Sequence, residues 1–127
     1  MKILIIEDAM IRQNFFRKIL KGWSIDFARD ADSGLNKLRN QIFDIVFLDH
    51  DLVGAKSGSY LTELWYKQRN DFNTIKPIVI IHSMNMLGAT KMENYLKGVS
   101  KRTERIPFKL IVTKEVDIKA KILELVE

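Results

Sequence analysis

The hydrophobic positions of this chain form short apolar runs separated by segments with helical spacing. The runs are rich in Ile, Val and Phe and lack polar alternation, which is typical of strands buried on both faces of a parallel sheet. They predict five strands, at residues 3–6, 25–28, 43–48, 78–81 and 110–112.

The segment after each apolar run has the pattern of an amphipathic helix. In the first of these segments Ile11, Phe15 and Ile19 recur every fourth residue, so one face of the predicted helix is apolar. Phe16 and Leu20 lie beside them. Residues that favour helix starts mark three later helices. They are Asp32 and Ser33 for the second helix, Ser57, Gly58 and Ser59 for the third, and Asp117 for the fifth.

Five successive strand–helix units predict an α/β fold with a five-stranded parallel sheet and helices on both faces, because parallel crossovers are right-handed. The compact arrangement is a doubly wound, flavodoxin-like sheet with strand order 2-1-3-4-5 and five helices. The chain contains no internal repeat, low-complexity tract or linker. We therefore expect a single domain over residues 1–127.

The composition excludes some classes of protein but does not identify the binding partner. The chain has no cysteine, which excludes disulfides and thiolate metal sites. Its apolar start is interrupted by Glu7 and Asp8 and is too short for a signal peptide, and no apolar run approaches the roughly 18 residues of a membrane-spanning helix. We therefore expect a cytoplasmic protein with no membrane partner. The net charge of +5 favours anionic partners but is common in proteins without them.

Acidic residues follow two of the predicted strands. The first strand ends in Glu7 and Asp8, and the third ends in Asp49, His50 and Asp51. In a doubly wound sheet, ligands bind beyond the carboxyl ends of the strands where the strand order reverses, here between the first and third strands. Carboxylates can converge there only if a cation binds or some stay protonated, and oxygen ligands suit Mg²⁺. The structural alternative is that Asp8 caps the first helix and Asp51 caps a turn.

This arrangement of acids resembles the receiver domain of bacterial response regulators, over essentially the whole chain. Asp49 stands where that family has its phosphoryl acceptor, and Ser83, after the fourth strand, stands at the hydroxyl position. The resemblance implies that Glu7 and Asp8 hold Mg²⁺ (or Mn²⁺) together with the backbone carbonyl of Asp51. The chemistry is coherent, because a carboxylate nucleophile, a metal and a hydroxyl donor together support phosphoryl transfer.

The chain also departs from the ordinary receiver pattern. The lysine–proline pair that normally closes the fifth strand is absent, and Lys114, followed by Glu115, is the nearest candidate for contacting the phosphate. Lys109 would fall too early in the predicted strand. An exposed lysine without a role is the alternative for Lys114. The turn after the acceptor aspartate has Val53 in place of the usual proline, and its glycine, Gly58, comes one residue late.

The only two histidines lie beside the predicted catalytic positions. His50 is part of an Asp-His-Asp-Leu stretch after the third strand, and His82 is part of a His-Ser-Met-Asn stretch after the fourth. Both stretches resemble the proposed cyclic-phosphate-processing receiver family. That resemblance implies activity on RNA ends that carry cyclic phosphates.

Opening a cyclic phosphodiester needs a polarising metal, a nucleophile and a proton donor for the leaving oxygen. Imidazole exchanges protons near neutral pH, so His82 or His50 could serve as acid or base. Ser83 and Asn85 could donate hydrogen bonds to phosphate oxygens. The structural alternatives are that each histidine is a hydrogen-bonded core residue, that strand alternation turns His50 away from Asp49, and that Asn85 only caps the fourth helix.

Basic residues are concentrated late in the chain. Between positions 91 and 109 only two acids accompany them. This surface could receive RNA phosphates, or it could be a solvated face, and the neighbouring fourth helix, fifth strand and fifth helix could form a homodimer interface. The six basic residues are Lys91, Lys97, Lys101, Arg102, Arg105 and Lys109.

Three functions are compatible with these patterns. The first is a stand-alone, Mg²⁺-dependent receiver-like protein that hydrolyses or transfers the phosphate of a cyclic phosphodiester on an RNA end or a nucleotide. The second is a single-domain response regulator, phosphorylated on Asp49 by a histidine kinase or a phosphotransfer protein. The third is an inert pseudo-receiver that binds protein or RNA. The two histidine stretches favour the first function.

Overall fold

The computed structural model describes residues 1–127 and contains one five-stranded parallel sheet. The strand order is β2-β1-β3-β4-β5, so the predicted flavodoxin-like topology is confirmed. Every neighbouring pair of strands is parallel. The strands are β1 (Lys2–Ile6), β2 (Ser24–Ala28), β3 (Ile45–Leu48), β4 (Ile78–Ile81) and β5 (Arg102–Arg105).

Six α-helices cover the two faces of the sheet, one more than the sequence predicts. The apolar side chains of α1, α5 and α6 pack on one face, and those of α2, α3 and α4 pack on the other. No helix has the length and apolar character needed to cross a membrane. The helices are α1 (Met10–Ile19), α2 (Ala31–Asn40), α3 (Gly58–Lys67), α4 (Met86–Leu96), α5 (Phe108–Val112) and α6 (Ile118–Val126), and a 3-10 turn spans Arg69–Asp71.

Two apolar cores, one on each face, hold the sheet between the helices. All residues of β3 and β4 are buried, which explains why these strands show continuous apolar runs in the sequence. The core under α2, α3 and α4 includes Leu35, Leu61 and Met92, and the core under α1 and α6 includes Phe16 and Ile122.

The predicted fifth strand at residues 110–112 is wrong. Those residues belong to the short helix α5, in which only Ile111 is buried. The true β5 is Arg102–Arg105, an edge strand whose residues are exposed or half-buried. An edge strand needs no apolar run, since one of its sides lacks a neighbouring strand, and charged residues there also discourage pairing with other chains.

Two predictions about the helices also need correction. Helix α2 is capped by Asp30, whose carboxylate accepts a hydrogen bond from the backbone N–H of Ser33 at 2.7 Å, and not by Asp32 or Ser33. In α1, Ile11 is 85% exposed, whereas the rest of the predicted apolar face packs against the core: Phe15, Phe16, Ile19 and Leu20. The caps predicted for the third and last helices, Ser57 and Asp117, are confirmed.

Candidate functional site

The carboxyl ends of β1, β3 and β4 bring three polar side chains into one row. The last residues of these strands are paired side by side, and backbone hydrogen bonds continue the ladder by one residue, from Asp49 N–H to Ile6 (3.1 Å) and from His82 N–H to Leu48 (3.2 Å). Glu7, Asp49 and His82 therefore occupy equivalent positions and point to the face covered by α1 and α6. We call these three residues the inner row. Their ligand atoms lie within 4.8 Å of one another, and all three residues are buried.

Glu7 and His82 form a fully buried pair within the inner row. His82 Nε2 lies 2.9 Å from Glu7 Oε1, and because a carboxylate only accepts, Nε2 carries the proton. The other carboxylate oxygen, Oε2, accepts from the backbone N–H of Ala9 at 3.0 Å. Burial alone would raise the pKa of Glu7, but the hydrogen bond and charge of His82 outweigh it, so the pKa is lowered. Glu7 is therefore held as an ordered carboxylate.

The His82 ring is enclosed by aromatic side chains. It lies 5.3 Å from the ring of Phe16, 6.2 Å from that of Phe47 and 6.4 Å from that of Phe108. The residue has no exposed surface, and its Nδ1 atom is buried without a hydrogen-bond partner. The structure thus places His82 behind Glu7, with no surface of its own at the mouth of the site.

Asp49 lies at the centre of the inner row and is 5% exposed. Its Oδ1 atom accepts from the backbone N–H of His50 at 2.8 Å. Burial raises the pKa of Asp49, and the nearby charge of Glu7 raises it further. The pKa of Asp8 is raised by burial and by its contact with Glu7 and the charge of Asp49. The three predicted acids therefore lie close enough to repel one another.

This donor set fits a hard divalent cation. The carboxylates of Asp8 and Asp49 lie close enough for the charge of Asp49 to raise the pKa of Asp8, and oxygen ligands of this kind suit Mg²⁺ and Mn²⁺. Glu7 is already engaged by His82 and by a backbone N–H, so it contributes charge next to them. The side chain of Asp51 is exposed and turns to His50, which leaves only its backbone carbonyl for the predicted metal contact.

One residue of the site was missed by the sequence analysis. Arg12 Nη1 lies 3.6 Å from Glu7 Oε1 and 3.8 Å from Asp49 Oδ2. Its guanidinium also stacks over the ring of Phe108, 4.9 Å from the centroid. Arg12 lies in the first turn of α1, where a basic residue is unfavourable because it opposes the helix dipole. This unusual position is the feature of the sequence that could have identified Arg12 as a site residue.

His50 joins three segments on the opposite face of the sheet. Its Nδ1 atom donates to Asp51 Oδ1 at 2.9 Å, and its Nε2 atom lies 2.8 Å from the hydroxyl of Ser59. A Cβ atom on Gly88 would lie 2.3 Å from the His50 ring, so α4 can approach this closely only with glycine there. The side chain thus turns away from Asp49, as strand alternation predicts.

Asn85 and Ser83 organise the start of α4. Asn85 Oδ1 accepts from the backbone N–H of Gly88 at 2.9 Å, which makes Asn85 the N-cap. Its amide also donates to Asp51 Oδ1 at 3.3 Å. Ser83 is 3% exposed, and its hydroxyl accepts from the backbone N–H of Asn85 at 3.0 Å. Both side chains therefore have structural partners in addition to the phosphate contacts predicted for them.

Gly58 allows α3 to begin directly against the backbone that follows β3. Its backbone N–H donates to the carbonyl of His50 at 2.7 Å. A Cβ atom at this position would lie 2.4 Å from the carbonyl oxygen of Asp49 and 2.9 Å from the Cα atom of His50. Since those atoms are backbone and cannot move aside, the late glycine noted in the sequence is required by close packing.

The prediction that Lys114 closes the fifth strand is wrong. Strand β5 ends at Arg105 and is followed by Ile106 and Pro107. Lys114 comes after α5, in a left-handed backbone conformation with φ of 62°, beside Ile19 near the other end of α1. The residue that occupies the lysine position before the proline is therefore Ile106, which is 5% exposed.

The late basic residues do not converge on the acids. Lys101 and Arg102 lie at the start of β5, and Lys97 follows the end of α4, so these three are at the amino edge of the sheet, opposite the inner row. Arg105 is paired with Glu93. This part of the predicted RNA-binding surface, Lys97, Lys101 and Arg102, is thus remote from the acidic site.

Comparison with known proteins gives a family and a fold. The family model described as the cyclic-phosphate processing receiver domain matches residues 2–98. A CheY-like receiver domain protein from Methanospirillum hungatei JF-1 has a TM-score of 0.63 and 22% identity, over 97% of this chain and 94% of that chain. TrrA from Thermotoga maritima, solved with Mg²⁺-BeF, has a TM-score of 0.61 and 19% identity, over 95% of this chain and 97% of that chain. No curated protein matches.

Proposed function

Because the chain belongs to the family of cyclic-phosphate processing receiver domains, we propose that it opens a cyclic phosphodiester on an RNA end or a nucleotide, with Mg²⁺ or Mn²⁺ as cofactor. The observation that carries the proposal is the inner row, in which a buried histidine fixes one acid next to a second, central acid. A relay receiver needs the acids but has no evident use for this histidine.

Each residue of the site has a distinct role in the proposal. Asp8 and Asp49 hold the metal, with the backbone carbonyl of Asp51, and His82 fixes the position of Glu7 beside them. A bound divalent cation supplies the positive charge that polarises the phosphoryl group. Ser83 contacts phosphate oxygens from the end of β4.

His50 and Asn85 form the rim of the site in this proposal. Both belong to the hydrogen-bonded network that joins the loops after β3 and β4, next to the acids. The side chain of His50 is 16% exposed, so of the two histidines it is the one that a substrate could reach. We assign His50 and Asn85 to substrate contact.

Ring opening then adds one water molecule in two steps. In the first, an Asp49 carboxylate oxygen attacks phosphorus, the bond from phosphorus to one ribose oxygen breaks, and that oxygen takes up a proton from solvent. In the second, water attacks the same phosphorus, the bond to Asp49 breaks, and the water gives up one proton. The product is a phosphate monoester, and Asp49 is restored.

The proposed substrate is a chain end or a nucleotide. Lys97, Lys101 and Arg102 lie at the opposite edge of the sheet, so they cannot follow a backbone that enters the acidic site. Affinity would therefore depend weakly on RNA length. Homodimerisation along α4, β5 and α6, and a cytoplasmic location, stay predictions of the sequence.

A phosphorelay function is the second candidate. The receiver fold and a central aspartate favour it, with a histidine kinase or a phosphotransfer protein as partner. The chain departs from the relay pattern at Ile106, a buried apolar residue where the family has its strand-end lysine.

One experiment separates these functions. The protein is incubated with Mg²⁺ and either acetyl phosphate or an oligonucleotide that ends in a 2′,3′-cyclic phosphate, and both substrate and protein are analysed by mass spectrometry. We expect the oligonucleotide to gain the mass of one water, and Asp49→Asn to lower the rate by at least about 100-fold. Asp32→Asn, an exposed acid outside the site, serves as the matched control.

The alternative outcomes are equally distinct. A stable phosphate on Asp49 without ring opening would identify a relay protein. Ring opening that persists at full rate in Asp49→Asn would show that water, and not Asp49, is the nucleophile. If neither substrate reacts, the protein is an inert pseudo-receiver.

A further inference from the structure

The site has acids and a serine hydroxyl but lacks the cation expected from the fifth strand. A phosphoryl group that changes from diester to monoester gains negative charge, which a fixed cation stabilises. Ile106 occupies the strand-end position and is buried, and Lys114 lies near the far end of α1. The cation must therefore come from another element.

Apart from the buried His82, Arg12 is the only basic side chain within 4 Å of the inner-row acids. Its distances to Glu7 and Asp49, 3.6 and 3.8 Å, are those of ion pairs and exceed hydrogen-bond length. The guanidinium makes no hydrogen bond within the protein, although it has five N–H donors. These donors are consequently available to a ligand.

The side chain is also held at the mouth of the site. It is 33% exposed, so it meets solvent on one side and the acids on the other. The ring of Phe108 supports the guanidinium plane at 4.9 Å. A planar guanidinium matches the geometry of a phosphate group and can bind two of its oxygens at once.

We propose that Arg12 binds the substrate phosphate and takes the place of the absent strand-end lysine. This inference rests on the proposed function, since it requires a phosphoryl group to approach Asp49. In the free protein Arg12 balances the charge of the acids, and when a divalent cation does so instead, the guanidinium is released to the phosphate. The cation thus comes from α1 and not from β5.

The test compares wild type, Arg12→Gln and Arg17→Gln. Arg17 lies on the same helix, but its guanidinium rests on Phe27, away from the acids, so it is the matched control. Two binding constants are measured for each protein. Calorimetry gives the affinity for Mg²⁺ alone, and fluorine NMR gives the affinity for beryllofluoride in the presence of Mg²⁺. The rate of opening of a 2′,3′-cyclic phosphate is measured alongside them.

We expect Arg12→Gln to bind Mg²⁺ at least as tightly as wild type, because a competing cation has been removed. Its affinity for beryllofluoride should fall about 10- to 100-fold, the effect of losing charged hydrogen bonds. Arg17→Gln should match wild type in both. A purely structural role for Arg12 would lower both affinities together and would overturn the inference.

The remaining outcomes separate the two proposals. If wild type opens no cyclic phosphate but Arg12→Gln still loses beryllofluoride binding, the proposed function fails and the role of Arg12 stands. If Arg12→Gln binds beryllofluoride and opens the ring as wild type does, the role of Arg12 is refuted. Failure of wild type to bind beryllofluoride would refute both proposals.

Discussion

At the scale of single residues, the buried pair of Glu7 and His82 links the functional site to the stability of the core. Both side chains are fully buried, and each provides the main polar partner of the other. Breaking a buried hydrogen bond costs more than breaking an exposed one, because the remaining partner is left without water to replace the lost bond. The pair therefore contributes to stability as well as to the shape of the site.

We expect His82→Ala to lower the free energy of unfolding by about 3 kcal/mol, since it removes the hydrogen bond to Glu7 Oε1 and opens a cavity among three phenylalanines. Urea denaturation at pH 7 measures the change. His50→Ala, which removes the other, partly exposed histidine, should cost about 1 kcal/mol. A double-mutant cycle with Glu7→Gln isolates the pair; additive effects would mean that the cavity accounts for the whole loss.

The acids of the site could be predicted from the sequence, whereas its cation could not. Glu7, Asp8 and Asp49 each end an apolar run, and parallel strands bring such ends to one edge. Arg12 lies within a helix, and its side chain reaches the acids only because of the way α1 packs on the sheet. His82 was placed in the site by its motif, but its burial behind Glu7 depends on the surrounding aromatic rings.

At the scale of secondary structure, side-chain caps fix the starts of α2, α3, α4 and α6, and the cap of α2 differs from the expected one. The carboxylate of Asp30 accepts a hydrogen bond from the backbone N–H of Ser33, and this bond is the main cause of the lowered pKa of Asp30. Asp32, two residues later, is exposed and pairs with Lys56. The sequence could not distinguish these two acids, since both precede the same apolar face.

Asp30→Ala should destabilise the protein by about 1 kcal/mol at pH 7, because α2 loses its cap. A carboxyl group whose pKa is lowered by folding stabilises the protein above its unfolded value of about 4, and that stability is lost as the pH falls through the lower, folded pKa. The difference between wild type and variant should therefore shrink towards pH 2. Thermal unfolding across this pH range measures it.

Asp32→Ala is the control for this prediction. Its ion pair with Lys56 is exposed, so the change should be within about 0.5 kcal/mol at any pH. Equal losses in the two variants would show that Asp30 does not act as the cap.

Strand β5 shows why one element escaped prediction. Its sequence, Arg102–Arg105, contains no aliphatic residue, and only its position at the edge of the sheet allows it to be a strand. The nearby apolar run at residues 110–112 was the better match to a buried strand, yet it forms a single short helix after Pro107. Hydrophobic periodicity identifies the buried central strands. It cannot identify an edge strand such as β5, whose residues are exposed or half-buried.

At the scale of the whole molecule, the strand order brings together groups that are far apart in the chain. Glu7 and His82 are 75 positions apart, and they meet because β3 lies between β1 and β4 in the sheet. A ligand that links these strand ends binds only the folded chain, so it must stabilise the fold.

We therefore expect Mg²⁺ to raise the melting temperature. At a tenfold excess over its dissociation constant the gain is about 1.4 kcal/mol, or roughly 3 to 6 °C for a domain of this size. Scanning calorimetry with and without Mg²⁺ measures the shift. Asp8→Asn and Asp49→Asn should abolish it, while Asp32→Asn should retain it; a shift of equal size in all proteins would indicate general ionic effects.

Because the ends of β1, β3 and β4 are paired, the composition of the site depends on whether each strand has an odd or an even number of residues before its end. Along each strand every second side chain belongs to one face, so deleting a single residue from the interior of β1 would exchange Glu7 for Asp8 as the neighbour of His82. Removing two residues would preserve the facing side chains and only shorten the strand. An odd-numbered change in the length of β1 would therefore disrupt this centre, whereas an even-numbered change would keep Glu7 on the face of Asp49 and His82.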